Sequence, residues 1–205
     1  MTTIFPPIPE LDYRLVIDAL QGYAFPRKAL SDALTRGDLL RIKKGIYVQS
    51  GRGIPEYSKE ILANMIYGPS YISFEYALAY HGLIPERVEE LTSATSGKRK
   101  SFDSPIGRFS YIHLPVHYYG LAFFRKELEE ERAFLIATPE KAIADRIFAE
   151  NGRFSVRSMR QFLFENLRMD PSDFRNLEEA IFADAYRLSG RRSLELLYRV
   201  RKEMS

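Results

Sequence analysis

Arg27, Lys28, Arg36, Arg41, Lys43, Lys44 and Arg52 fall between Gly22 and Gly53 against only Asp32 and Asp38, so this stretch carries a net charge of +5. Cations gathered at this density suit a polyanion: they displace its counterions and hold its phosphates. Arg27 and Lys28 stand directly behind Pro26, in what reads as the first turn of a helix, with Ser31 one turn beyond Arg27. Side chains at such a helix start can reach base edges in a major groove. Lys43 and Lys44 crown "LLRIKKGIYV", two β-rich runs around a tight turn containing Gly45. Helix and basic-tipped hairpin together have the layout of a winged helix, in which the helix reads bases and the wing grips the backbone. Cations at the positive end of a helix cost a few tenths of a kcal/mol unless an anion joins them, which favours a ligand. The competing explanation is a surface hairpin whose lysines deter edge-to-edge pairing.

Other chemistry finds less support. The chain has no Cys, which removes disulfides and thiolate metal sites, and it contains no GxSxG, P-loop, HExxH or glycine-rich nucleotide fingerprint. His113 and His117 are four residues apart, but Pro115 lies between them in a β-textured run, so they lack the helical geometry of a metal pair. His81 ends a helix, where an imidazolium complements the dipole. Glu75, Glu140 and Asp145 read as helix-surface charges or dipole partners. No catalytic residue, metal or cofactor is expected. Two alternatives stay open: a metal-dependent nucleic-acid enzyme with Asp103 and Glu140 on a divalent ion beside Lys141, and a protein-interaction module whose basic faces serve an acidic partner. "SGKRKS" at 96–101 is a second basic cluster between strands, and Arg191, Arg192, Arg199, Arg201 and Lys202 form a solvated basic face on the last helix.

The elements that must position these residues follow from periodicity. Apolar spacing gives helices over 10–21 and 26–36, then the hairpin, and "GRGIP" at 51–55 breaks regular structure. We therefore expect a fold of class α/β (α+β): a winged helix-turn-helix domain over 1–53, then a mixed domain over 54–205 with a small sheet and flanking helices. In the second domain "YSKEILANMIY" is helical, Tyr71–Ile72 is a short strand, and Ser73 caps a helix over 74–81 that Gly82 closes. About three strands occupy 88–116, with "SPIG" as a turn. Thr138 and Pro139 open a helix through "ATPEKAIADRIF", and three amphipathic helices follow. Of the 205 residues 45% are hydrophobic and 28% charged, and no apolar run approaches the roughly 18 residues of a membrane span. "MTTIFPPIPELDYR" lacks the basic start and apolar core of a secretory signal, so a cytoplasmic location is expected.

"LTRGDLLRIKKGIYV", "YISFEYALAYHGLIPE" and "ATPEKAIADRIF", in that order, resemble the AbiEi family of antitoxins from type IV toxin-antitoxin systems. The resemblance covers most of residues 20–150. It rests on a wing end at Lys44, Gly45, Ile46, Tyr47 and Val48, and on an "SxExALxxHGL" helix at Ser73, Glu75, Ala77, Leu78, His81, Gly82 and Leu83. A "PEKxxxD" helix at Pro139, Glu140, Lys141 and Asp145 completes it. It implies an N-terminal winged helix that binds double-stranded operator DNA at an inverted repeat and represses its own operon. It also implies a C-terminal domain with antitoxin activity against a nucleotidyltransferase-like toxin, in which Ser73, Glu75, His81, Glu140, Lys141 and Asp145 are family positions.

Overall fold

Asp12 decides how the chain begins to fold: its carboxylate accepts the Leu15 N–H at 2.8 Å and caps a helix there. The run expected as one helix over 10–21 is therefore divided into β1 (Glu10–Asp12) and α1 (Tyr13–Ala19). Leu11 belongs to the strand and faces Tyr47 across the ladder. The computed structural model describes residues 5–51, 53–129, 131–150 and 152–204; Arg52, counted in the basic run, lies outside them, as does the start Met1–Ile4.

α2 (Pro26–Arg36) forms over the expected residues, with Pro26 at its first turn and Gly37 closing it at φ 80°. β2 (Leu39–Lys43) and β3 (Ile46–Gln49) are the hairpin, and β1 completes an antiparallel sheet in the order β1-β3-β2. Alternation along β3 serves two cores. Tyr47, with Leu39, packs with Leu11, Val16, Leu20, Leu30 and Ala33, whereas Ile42, Ile46 and Val48 join the large core beyond.

That larger part is mixed α/β. Its elements are α3 (Lys59–Ile66), β4 (Ser70–Ile72), α4 (Phe74–Tyr80), β5 (Leu91–Thr95), β6 (Lys100–Ser104), β7 (Gly107–His113), α5 (Val116–Tyr119), β8 (Phe123–Glu127), β9 (Ala133–Ala137) and α6 (Pro139–Ala149). α7 (Val156–Gln161) runs on into a π-helical turn over Phe162–Asn166, and α8 (Pro171–Asn176), α9 (Glu179–Ser189) and α10 (Arg192–Lys202) finish the described chain. The sheet order is β6-β7-β5-β4-β9-β8, with β4–β9 and β5–β7 parallel and the other pairs antiparallel. The sheet is thus larger than expected, because β8 and β9 join the strands anticipated at Tyr71–Ile72 and over 88–116. The middle helix expected after Asp170 is two: Leu177 turns extended at ψ 155°, which separates α8 from α9.

The sheet of three strands is fastened to the larger part by buried polar contacts. Glu10 accepts the Ser58 N–H at 2.5 Å and a bond from the Arg132 guanidinium at 3.2 Å. From the hairpin, the Lys43 ammonium donates to the Ile66 carbonyl at 2.7 Å. No helix among the described residues is long and apolar enough to cross a membrane.

Candidate nucleic-acid interface and buried polar cluster

α2 starts without a side-chain cap and without an acidic residue in its first turn. Arg27 and Lys28 are exposed there, and neither has an ion pair among the described residues. Among the described residues no carboxylate lies within ion-pair distance of either cation at this positive helix end, and Asp32 stands one turn past Lys28. Ser31 is exposed one turn on, and its backbone carbonyl accepts the Thr35 hydroxyl at 3.0 Å. Arg36, at the other end, is bound to Asp38 at 2.7 Å.

On the hairpin the cations divide. Arg41 lies opposite Tyr47, and cross-strand partners share a face, so it stands on the side of the sheet that carries α1 and α2. Between Arg41 and Lys43 the register shifts, leaving Lys43 opposite Ile46 and therefore on the side facing the larger core. Lys43 packs over the Phe102 ring, 4.0 Å from its centroid, besides bonding Ile66. Burial holds the Lys43 ammonium below its usual pKa, and Lys100 adds to the effect. Lys43 was expected on the wing tip against phosphate; the bulge turns it inward, and Lys44 alone stays exposed at the turn. The "SGKRKS" segment is next to this turn through Lys100, whose ammonium caps the Tyr67 ring 4.5 Å from the centroid.

Two exposed groups here escaped the sequence reading. Arg14 on α1 is exposed with no ion pair among the described residues. Tyr23 and Phe25, 47% and 73% exposed, border the start of α2. The signal available for Phe25 was its place immediately before Pro26, at a cap position that usually takes Ser, Thr, Asp or Asn.

The positions of the second part that carry the resemblance meet in a different way. The Asp145 carboxylate accepts the Ser73 hydroxyl at 2.7 Å, the Tyr71 hydroxyl at 2.9 Å and the Lys141 ammonium at 2.6 Å. Lys141 and Asp145 are 0% exposed, so Asp145 is not the helix-surface charge expected from sequence, and Glu140, given the same reading, is buried too. Lys141 also donates to the Tyr118 carbonyl at 3.2 Å and stands 3.3 Å above the centre of the Tyr118 ring. Burial lowers the Lys141 pKa against the pull of Asp145, and burial first, then Asp145, raises those of Tyr71 and Tyr118 well above 10.0. Ser73 caps by position only, because its hydroxyl is turned to Asp145. Glu75 pairs with Arg146, Glu140 accepts the Glu178 N–H at 3.0 Å, and His81 donates to the Ala137 carbonyl at 2.8 Å. These six positions tie β4, α4, β9, α6 and the start of α9 together.

Asp103 and Glu140, weighed for a divalent ion, have separate partners: Asp103 lies 4.0 Å from Arg108, and Glu140 is taken by Glu178. Among the described residues no group of three or more His, Asp and Glu is placed to hold a metal. His113 donates to the Gly97 carbonyl at 2.8 Å. The basic face expected on the last helix is partly structural, since Arg201 is buried and donates to the Leu177 carbonyl at 2.8 Å, and Arg191 donates to that of Phe148 at 2.7 Å. No family model matches the chain, and no curated protein matches it.

Proposed function

We propose that this chain binds double-stranded DNA as a winged-helix autorepressor, with α2 in the major groove and the β2–β3 turn on the backbone. The observation that carries the reading is the charge at the start of α2: Arg27 and Lys28 stand at its positive end with no side-chain cap, no acidic residue in the first turn and no ion pair among the described residues, and Arg14, Arg41 and Lys44 on the same small unit are exposed without an ion pair as well. Unneutralised cations on one small unit suit phosphates, which supply the missing charge and release counterions on binding. Arg27, Lys28 and Ser31 would meet bases or adjacent phosphates, and Arg41 and Lys44 would hold the backbone. One winged helix covers too few base pairs for strong selectivity, so two copies on an inverted repeat are expected.

For the larger part, the resemblance at Ser73, Glu75, His81, Glu140, Lys141 and Asp145 supports an antitoxin role against a nucleotidyltransferase-like toxin, in a cytoplasmic operon pair. The buried positions of Ser73, Lys141 and Asp145 suit building the domain, not touching a partner. Footprinting of the full chain on the DNA upstream of its own gene tests the first half: two related protected half-sites support it, and even protection of unrelated DNA opposes it. Co-expression with the protein encoded beside it tests the second half. Relief of toxicity by a variant that no longer binds DNA supports antitoxin activity, whereas relief that needs DNA binding reduces the role to repression.

A further inference from the structure

Of the fourteen phenylalanines, Phe25 is by far the most exposed, at 73%; Phe124 follows at 39%, and the others are buried or half-buried. Phe25 also occupies the N-cap of α2, where it makes no side-chain hydrogen bond and where a small polar residue would stabilise the helix start. The position thus forgoes both burial and capping. Two and three residues on come Arg27 and Lys28, exposed and without ion pairs among the described residues. Phe25, Tyr23 and Lys28 line one groove of about 300 Å³, and Asp32, a turn past Lys28, lines it as well.

An apolar ring among unneutralised cations fits a surface that is apolar and anionic at close range. The major groove of B-DNA has that character, because thymine C5-methyl groups project into it between two walls of phosphate. Asp32 repels phosphate from the groove, so bases are the better match for its floor, and a carboxylate can accept from cytosine N4. We propose that Phe25 reads thymine, packing its ring on the C5-methyl while Arg27 and Lys28 hold neighbouring phosphates or purine edges. This rests on the DNA-binding reading above and adds to it a residue and the base it selects.

The test uses the full chain and duplexes that it selects from a random-sequence pool, each then remade with deoxyuridine in place of one thymine at a time, which removes the methyl and keeps every hydrogen-bonding group. At one position per half-site the change should weaken binding about fourfold, what burying one methyl-sized group contributes. Phe25→Ala, which removes the ring from both copies, should lower affinity for the thymine duplex by about the square of that factor, roughly sixteenfold, abolish the thymine–deoxyuridine difference, and leave both the salt dependence and the thermal midpoint unchanged. Phe25→Leu should keep part of the difference, and Tyr23→Ala all of it. Tight binding with no deoxyuridine effect at any position overturns the assignment while leaving DNA binding intact, as does a difference that survives Phe25→Ala. Failure of the unaltered chain to bind any duplex at low salt overturns both.

Discussion

Replacing Lys43 and Lys44 one at a time separates two jobs that adjacent side chains perform. Lys44→Ala removes an exposed cation and should reduce the slope of log affinity against log salt by about 0.9, one phosphate contact, on all sequences alike. Stability should stay within about 0.5 kcal/mol of the parent. Lys43→Ala should do the reverse, leaving the slope nearly unchanged and costing roughly 1–2 kcal/mol, because it removes a charged hydrogen bond to Ile66 and the contact with Phe102. Salt-dependent binding and urea unfolding of the two variants decide the matter, and a large slope change for Lys43→Ala would mean that its ammonium reaches phosphate after all. Asp145 permits an equally direct test. Asp145→Ala leaves the Lys141 ammonium buried and uncompensated, so we expect a loss of about 3–5 kcal/mol in urea unfolding, whereas Lys141→Met with Asp145→Leu should recover most of it. Equal losses in both variants would show that packing volume, not charge, is what the site supplies.

Elements with strong local signals were legible in the sequence, and those fixed by distant partners were not. Pro26 and Gly37 bracket α2, and Thr138, whose hydroxyl accepts the Lys141 N–H at 3.3 Å, opens α6, so both could be read from their ends. β1 was hidden inside a helical spacing, because Leu11 fits a helix stripe and only pairing with Tyr47 makes it a strand. β9, "AFLIA", is too short and too evenly apolar to show a period of two, and β8 is defined only by lying against it. The bulge at Ile42–Lys43 is the most consequential element missed, because a one-residue shift of register exchanges faces and took Lys43 from the candidate site. The cations Arg27, Lys28 and Lys44 were legible from composition, whereas the Lys141–Asp145 pair was not, since an i,i+4 pair on a helix normally faces water. The hairpin also predicts how the chain can be cut. A fragment of residues 1–53 exposes Ile42, Ile46 and Val48, which the larger core covers in the full chain. It should therefore show little cooperative thermal unfolding by circular dichroism. A sharp transition in that fragment would mean that the smaller core suffices.

For the whole molecule, the buried tyrosines set the behaviour in alkali. Tyr71 and Tyr118 have pKa values raised well above 10.0, and those of Tyr76, Tyr111 and Tyr119 are raised too, the last to about 12. Above pH 10 the unfolded chain therefore releases protons that the folded chain keeps, and stability falls with pH by about 1.4 kcal/mol per unit for each such group. Lys141 acts in the opposite sense only between its lowered folded pKa and 10.5, but one lysine does not offset several tyrosines. Urea midpoints should drop steeply above about pH 10, and less steeply in Tyr71→Phe. A flat profile would contradict the burial of these hydroxyls.

Equilibrium binding across a salt series decides whether the unpaired cations of α1, α2 and the hairpin bind DNA, as proposed above. The full chain would be titrated against the duplex from upstream of its own gene and against unrelated DNA of equal length, beside a variant with Arg27, Lys28, Arg41 and Lys44 all changed to Ala. The parent should prefer the upstream duplex by a factor of about 10³ or more, and the variant should lose this preference together with most of the salt slope. Absence of binding to either duplex at low salt, or equal salt slopes for parent and variant, would contradict the proposal.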